Sequence, residues 1–217
     1  MYSVIIPTMW KNMRIVELIE GFNDCELVDE ILLVDNNPDK TIDFPYYEKV
    51  NVIHRGGNMY VNPSWNLGVA TAKNKKVIIS NDDISFDVSS VLEFMKDKEY
   101  GCCGVHPIGI NSEDKWPIEM VNNVFIGQGW GVLIFVDKDL YVNIPSGLKI
   151  WFGDNWIAEV CKPSTSLLFN LYTEMSSSSN SSELKDVIRA DISEWIRLVN
   201  QSKGGDSVTL QGEGEKA

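Results

Sequence analysis

Four short apolar runs punctuate the first half of the chain, and each ends in polar residues. They are residues 2–6 (YSVII), 30–34 (EILLV), 50–54 (VNVIH) and 77–79 (VII), followed by Pro7-Thr8, Asp35-Asn36-Asn37-Pro38, Arg55-Gly56-Gly57-Asn58 and Ser80-Asn81-Asp82-Asp83. Runs this continuous and β-branched predict strands buried on both faces. The segments between them have helical periodicity. Ile15, Val16, Leu18, Ile19 and Phe22 form one apolar stripe behind Asn12, a candidate N-cap; Asn62-Pro63 predicts a second helix start, with Asn as cap and Pro at the first helical position, running through Trp65, Val69, Ala70 and Ala72. Strand, helix, strand, strand, helix, strand predicts an α/β domain with a mostly parallel central sheet flanked by helices on both faces.

Further along, Asp87 is placed to cap a helix carrying Val88, Val91, Leu92 and Met95, and strands are predicted over residues 101–107 and 131–136. Residues 111–129 read as a polar, aromatic-punctuated loop, 137–148 as a short helix or turn region broken at Pro145, and 151–156 (WFGDNW) as the opening of a helix through Cys161. The expected organisation is a domain over residues 1–175, a Ser-rich connection over 176–182, and an amphipathic helix over 183–201 packed on the domain. That helix carries Leu184, Val187, Ile188, Ile192, Trp195, Ile196 and Val199. Residues 202–217 have linker composition, suited to tethering a further C-terminal domain.

In parallel sheets ligands bind beyond the carboxyl ends of the strands. Thr8, Asp35, Arg55 and Asp82-Asp83 all fall at such ends, and their coincidence points to a site. Adjacent carboxylates at the lip of a sheet repel each other unless a cation sits beside them, although an isolated Asn-Asp-Asp is also an ordinary turn. The formal net charge of −12 argues against nucleic acid or an anionic membrane as partner. An acidic protein holding a phosphorylated ligand does so locally, through a metal, main-chain N–H groups or a few placed cations. Cys25, Cys102, Cys103 and Cys161 show no metal spacing and read as reduced, packed thiols; no segment has the apolar length to span a bilayer, so a cytoplasmic location is expected.

The order of these segments resembles the GT-A fold glycosyltransferases of the family 2 type, including the domains with which large algal viruses decorate their capsids. The matching residues are VIIPT (4–8), LLVDNN (32–37), NPSWNLGVATAKNKKVIISNDD (62–83), GWGVLIFVDKDLY (129–141) and WFGDNW (151–156). The resemblance implies a GT-A, Rossmann-like sheet and an inverting, metal-dependent transfer of a hexose, such as glucose, galactose or rhamnose, from a UDP-sugar to a hydroxyl of a glycan or glycoprotein acceptor. It assigns Pro7, Thr8 and Asp35 to the nucleoside, Asp83 to Mn²⁺ or Mg²⁺, and Asp82 to the ribose or the metal through water. Asn81 stands where an acidic residue is common, so a strict DxD is absent. Asn66 falls in the donor-binding NxG segment, but Trp65 precedes it where many relatives have Arg, which leaves Arg55 as a candidate cation for the phosphates. Asp154 takes the place of the catalytic base, with Gly153 where Glu is commoner.

Each assignment has a plainer competitor. Asp35 suits an Asx turn, Asp154 a helix N-cap and Trp65 the core. Trp130, Trp151 and Trp156 offer faces for sugar C–H surfaces or simple packing. His54 and His106 read as structural. A sugar-phosphate nucleotidyltransferase would need a Gly- and Arg-rich loop after the first strand, where PTMWKNMR stands, and a dinucleotide oxidoreductase would need GxGxxG. The remaining alternative is a non-catalytic nucleotide-sugar-binding module of a larger glycan-assembly protein.

Overall fold

A computed structural model describes residues 1–37, 39, 45–127, 129–174 and 184–203. Its centre is an eight-stranded sheet with strand order β3-β2-β1-β4-β8-β6-β9-β7. Strands β1 (Tyr2–Thr8), β2 (Val28–Asp35), β3 (Val50–His54) and β4 (Lys76–Ser80) are mutually parallel. β8 (Leu133–Asp137) runs antiparallel between β4 and β6 (Cys102–Val105), β9 (Ser164–Leu168) returns parallel to β6, and β7 (Glu119–Val121) closes the edge antiparallel to β9. A separate ribbon pairs β5 (Ile84–Ser85) with β10 (Tyr172–Thr173).

Side chains of a strand alternate between faces, and the two cores follow that period. Val4, Ile6, Ile31, Leu33, Ile78 and Cys103 pack with helices α1 (Arg14–Asp24) and α3 (Val88–Met95). Ile5, Leu32, Val34, Val77, Ile79 and Cys102 pack on the opposite face with α2 (Val61–Thr71), α4 (Gly153–Val160) and partly buried Trp195 and Leu198 of α5 (Lys185–Lys203). Burial on both faces is why the β1, β2 and β4 segments read as continuous apolar runs. All four cysteines are buried and free.

Several details differ from expectation. α2 starts at Val61, with Tyr60 in the left-handed region (φ 69°) at the cap position, so Asn62 and Pro63 lie inside the first turn. Asn62 is drawn off capping by a contact with the 151 carbonyl, to which its Nδ2 donates at 3.1 Å. The stretch after residue 111 contains β7, and residues 164–173 contain β9 and β10. These short strands had no apolar run long enough to mark them. Gly131 lies in a 3-10 turn, Trp130–Val132, ahead of β8. On α5, Val187, Ile188, Trp195 and Val199 are partly buried whereas Ile192 and Ile196 are 42% and 54% exposed, and the helix continues to Lys203. The Ser-rich connection and residues 204–217 lie outside the described residues. Among the described residues no helix is long and apolar enough to cross a membrane.

Candidate functional site

The parallel register sets three polar side chains abreast. Thr8 is opposite Asp35 across β1 and β2, and Asp35 is opposite His54 across β2 and β3. All are last residues of their strands, so their side chains lie where the backbone ladder ends. Asp35 is 7% exposed and engaged on both oxygens: Oδ1 accepts from Trp10 Nε1 (2.9 Å) and the Asn37 N–H (2.9 Å), and Oδ2 lies 2.9 Å from His54 Nδ1. The turn contact from Asn37 is the Asx turn; the indole and imidazole are additional. A carboxylate offers about four lone-pair sites, so Oδ2 retains capacity for another donor.

The next strand end is tied to this group through one residue. The Thr8 hydroxyl donates to Asp82 Oδ2 (2.7 Å) and accepts from the Trp10 N–H (2.8 Å). Trp10, 3% exposed with φ 55°, therefore contacts Thr8 with its main chain and Asp35 with its indole. Asp82, Thr8, Trp10, Asp35 and His54 form one hydrogen-bonded wall. Burial above all pushes the Asp82 carboxyl up to about 6; the Thr8 hydroxyl opposes the rise and the neighbouring Asp83 charge adds to it. Asp83 itself is buried.

A divalent cation fits this pair. Two adjacent carboxylates supply hard oxygen ligands, and a cation beside them would offset the burial and the Asp83 charge that favour the neutral form of Asp82. Among the described residues no cluster of three His, Cys, Asp or Glu side chains is arranged around a common point, so further coordination would fall to water and a phosphorylated ligand.

The other wall comes from the far half of the sheet. The Asn81 N–H donates to the Val132 carbonyl (2.9 Å), which binds the Asn-Asp-Asp turn to the 3-10 turn before β8. On the residue beside it, a Cβ at Gly131 would stand 2.7 Å from Asp154 Cβ and 2.8 Å from its Oδ2. Asp154 thus lies directly against the Gly131 backbone, and the next residue, Val132, is the one that accepts from Asn81. It sits in the first turn of α4 and accepts from the Asn155 N–H (2.9 Å), while Phe152 occupies the cap position, so the N-cap explanation does not apply. The unusual Gly153 has a steric reason: a Cβ there would lie 2.1 Å from Asn62 Oδ1.

The remaining candidates divide. Pro7 is half-buried on β1, opposite Val34, next to Thr8. Arg55 is exposed just beyond β3. Asn66 does not join the cluster; its Nδ2 donates to the Ile144 carbonyl (2.8 Å) and its Oδ1 accepts from Tyr141 Oη (2.8 Å) and the Ile144 N–H (2.9 Å). Trp65 and Trp130 are core residues, whereas Trp151 is 39% exposed. His106 is turned away, its Nδ1 accepting from the Ile108 N–H and its ring set against Phe125. Sequence reasoning missed Trp10 and the His54–Asp35 contact. A lone Trp in a loop carries no periodic signal, and His54 becomes legible only once β3 is paired in register with β2.

No protein-family model matches the chain, and no curated protein is similar to it. Solved structures are similar in fold. TarS from S. aureus aligns over 96% of this chain and 40% of its own length, with 15% identity and a TM-score of 0.62. A 1–349 fragment of TarS in complex with UDP-GlcNAc aligns equally well over 68% of its length. HddC from Yersinia pseudotuberculosis covers 80% of this chain at 14% identity (TM-score 0.54), and the mannosyltransferase PcManGT from Pyrobaculum calidifontis, with GDP-Man and Mn²⁺, covers 77% at 14% (TM-score 0.51). The chain therefore spans well under two-thirds of full-length TarS. Its mostly parallel sheet, its helices on both faces and these likenesses establish the GT-A-type glycosyltransferase fold.

Proposed function

We propose that this chain is an inverting glycosyltransferase that moves a hexose from a UDP-sugar to a hydroxyl of a glycan acceptor. The observation that carries the reading is the meeting of two walls. Asp82, on one turn with Asp83, accepts from Thr8 of the Thr8, Trp10 and Asp35 network, and that turn is hydrogen-bonded through Asn81 to Val132, the neighbour of the Gly131 on which Asp154 rests. Solved proteins of this fold carry UDP, UDP-GlcNAc, or GDP-Man with Mn²⁺, which supports a nucleotide-sugar ligand.

In this reading the nucleoside lies along Pro7, Thr8 and Asp35. The free capacity of Asp35 Oδ2 accepts the imide N–H of a uracil ring, a donor that other bases present differently. Asp83, with Asp82 beside it, holds Mn²⁺ or Mg²⁺. When bound, that ion supplies charge neutralisation to the departing diphosphate. Arg55, exposed beyond β3, adds a cation on the same rim. Asp154 takes the proton from the acceptor hydroxyl as its oxygen bonds to the anomeric carbon and the bond to the diphosphate oxygen breaks. The products are the glycoside and UDP, with the proton on Asp154.

Calorimetric titration of UDP with and without Mn²⁺, on wild type and Asp83→Ala, tests the donor site. Metal-dependent binding that disappears in the variant is the expected result. Absence of binding by UDP, dTDP and GDP under both conditions would overturn the proposal.

A further inference from the structure

The segment that delivers Asp154 is held from α5, by a carboxylate with no place in the proposed chemistry. Asp191 is fully buried, and its two oxygens accept three consecutive main-chain N–H groups: Oδ1 from Lys149 (2.8 Å), Oδ2 from Ile150 (2.7 Å) and Trp151 (2.8 Å). A buried carboxylate is costly unless its lone pairs are met, and apolar side chains alone would dock a helix. Three successive peptide N–H groups aimed at one carboxylate instead prescribe the path of the loop, curling it around the charge.

The grip continues residue by residue to the base. The Trp151 carbonyl accepts from Asn62 Nδ2 (3.1 Å), and the Asn62 N–H donates to the Lys149 carbonyl (2.9 Å), so α2 holds the same loop from its other side. The Phe152 ring stacks on Trp195 of α5, with centroids 5.2 Å apart and planes within 2°, while its backbone takes the left-handed conformation (φ 64°). Gly153 abuts Asn62, and Asp154 then meets Gly131. From 149 to 154 each residue is fixed by α2, α5 or the turn before β8.

We infer that Asp191 is a positioning residue: by capturing the amides of residues 149–151 it sets where α4 begins, and so where the Asp154 carboxylate stands. The inference rests on the glycosyltransferase reading for what Asp154 does. Reaction rates are sensitive to such placement, a displacement of about 1 Å being worth on the order of 100-fold.

The test measures UDP released from UDP-glucose, UDP-galactose and UDP-GlcNAc with Mn²⁺, beside UDP affinity and melting temperature, for wild type, Asp154→Asn, Asp191→Asn, Asp191→Glu and the double variant D154N/D191N. Wild-type release that is lost in Asp154→Asn establishes the transferase reading independently of Asp191. A wild type that neither binds UDP nor releases it overturns that reading, and the role given to Asp191 falls with it. With the reading standing, Asp191→Asn is expected to lower kcat by about 10- to 100-fold while donor KM and UDP affinity stay within about twofold. Asp191→Glu should restore part of kcat, and D191N should cost nothing further in the D154N background. Unchanged kcat, or kcat and donor affinity falling together with melting temperature, would reduce Asp191 to a structural anchor. Should Asp191→Asn fail to fold, Asp191→Glu, which keeps the buried charge, carries the same comparison of kcat against donor affinity.

Discussion

The two walls of the site are built in different ways. The wall proposed to hold the donor consists of residues that end neighbouring parallel strands, so register alone brings Thr8, Asp35 and His54 abreast. The wall proposed to face the acceptor consists of a helix start held by contacts between residues far apart in the chain: Gly131 under Asp154, Asn62 against Gly153, and residues 149–151 around Asp191. A wall made by register tolerates the loss of a single side chain, because the strands remain paired. A wall made by packing depends on each contact in turn.

This contrast predicts where substitutions hurt. The largest effect is expected from Asp154→Asn, which should lower transfer by about 10²- to 10⁴-fold while leaving UDP affinity intact. Separate measurement of kcat and UDP binding checks it, and a parallel loss of binding would show the walls to be one unit. Gly131→Ala comes next. The added methyl meets Asp154 Cβ at 2.7 Å, so the carboxylate must move, and a kcat drop of about 10- to 100-fold with unchanged donor affinity is expected from steady-state kinetics.

The pH dependence isolates the donor wall. Burial raises the folded-state Asp82 carboxyl from 3.8 to about 6, so Asp82 contributes stability that is fully present below about pH 4. As pH rises through about 6, the folded chain retains a proton that the unfolded chain releases, and that stability is lost. Urea unfolding of the metal-free protein between pH 4 and 7 should show a decline on the order of 2 kcal/mol that Asp82→Asn removes. The same sign makes stabilisation by Mn²⁺ larger at pH 7 than at pH 5, since the proton and the cation compete for one carboxylate. The smallest effect belongs to Trp10→Phe. It removes the indole donor to Asp35 but leaves the paired strands, and UDP affinity should weaken by about 1 to 2 kcal/mol, read by calorimetry.

The donor wall was legible in the sequence for the reason that makes it robust. A strand buried on both faces must be apolar until it leaves the sheet, so the first polar residue after each run marks the sheet's carboxyl edge. Thr8, Asp35 and Asp82-Asp83 could be named on that logic, and Asp87 as the cap of α3 on the logic of helix ends; the cap does accept from the Ser90 N–H. Asn66 shows the limit of motif reasoning, because its carboxamide is spent on Tyr141 and Ile144, some 75 positions away. The short strands β7, β9 and β10 escaped notice because two, three or five mixed residues carry too little period to stand out.

By itself, then, the chain's pattern determined the α/β class, the mostly parallel sheet and the polar residues at the strand ends, since strands buried on both faces are continuously apolar until they leave the sheet. Only the tertiary structure decided that Trp10 joins Thr8 to Asp35, that Gly131 and Gly153 are glycines to admit Asp154 and Asn62, and that a carboxylate on the last helix holds the loop leading to Asp154. Apart from the local Trp10–Thr8 bond, those contacts join residues separated by 23 to 91 positions, over which no local periodicity reaches, and they exist only where close packing brings the segments together.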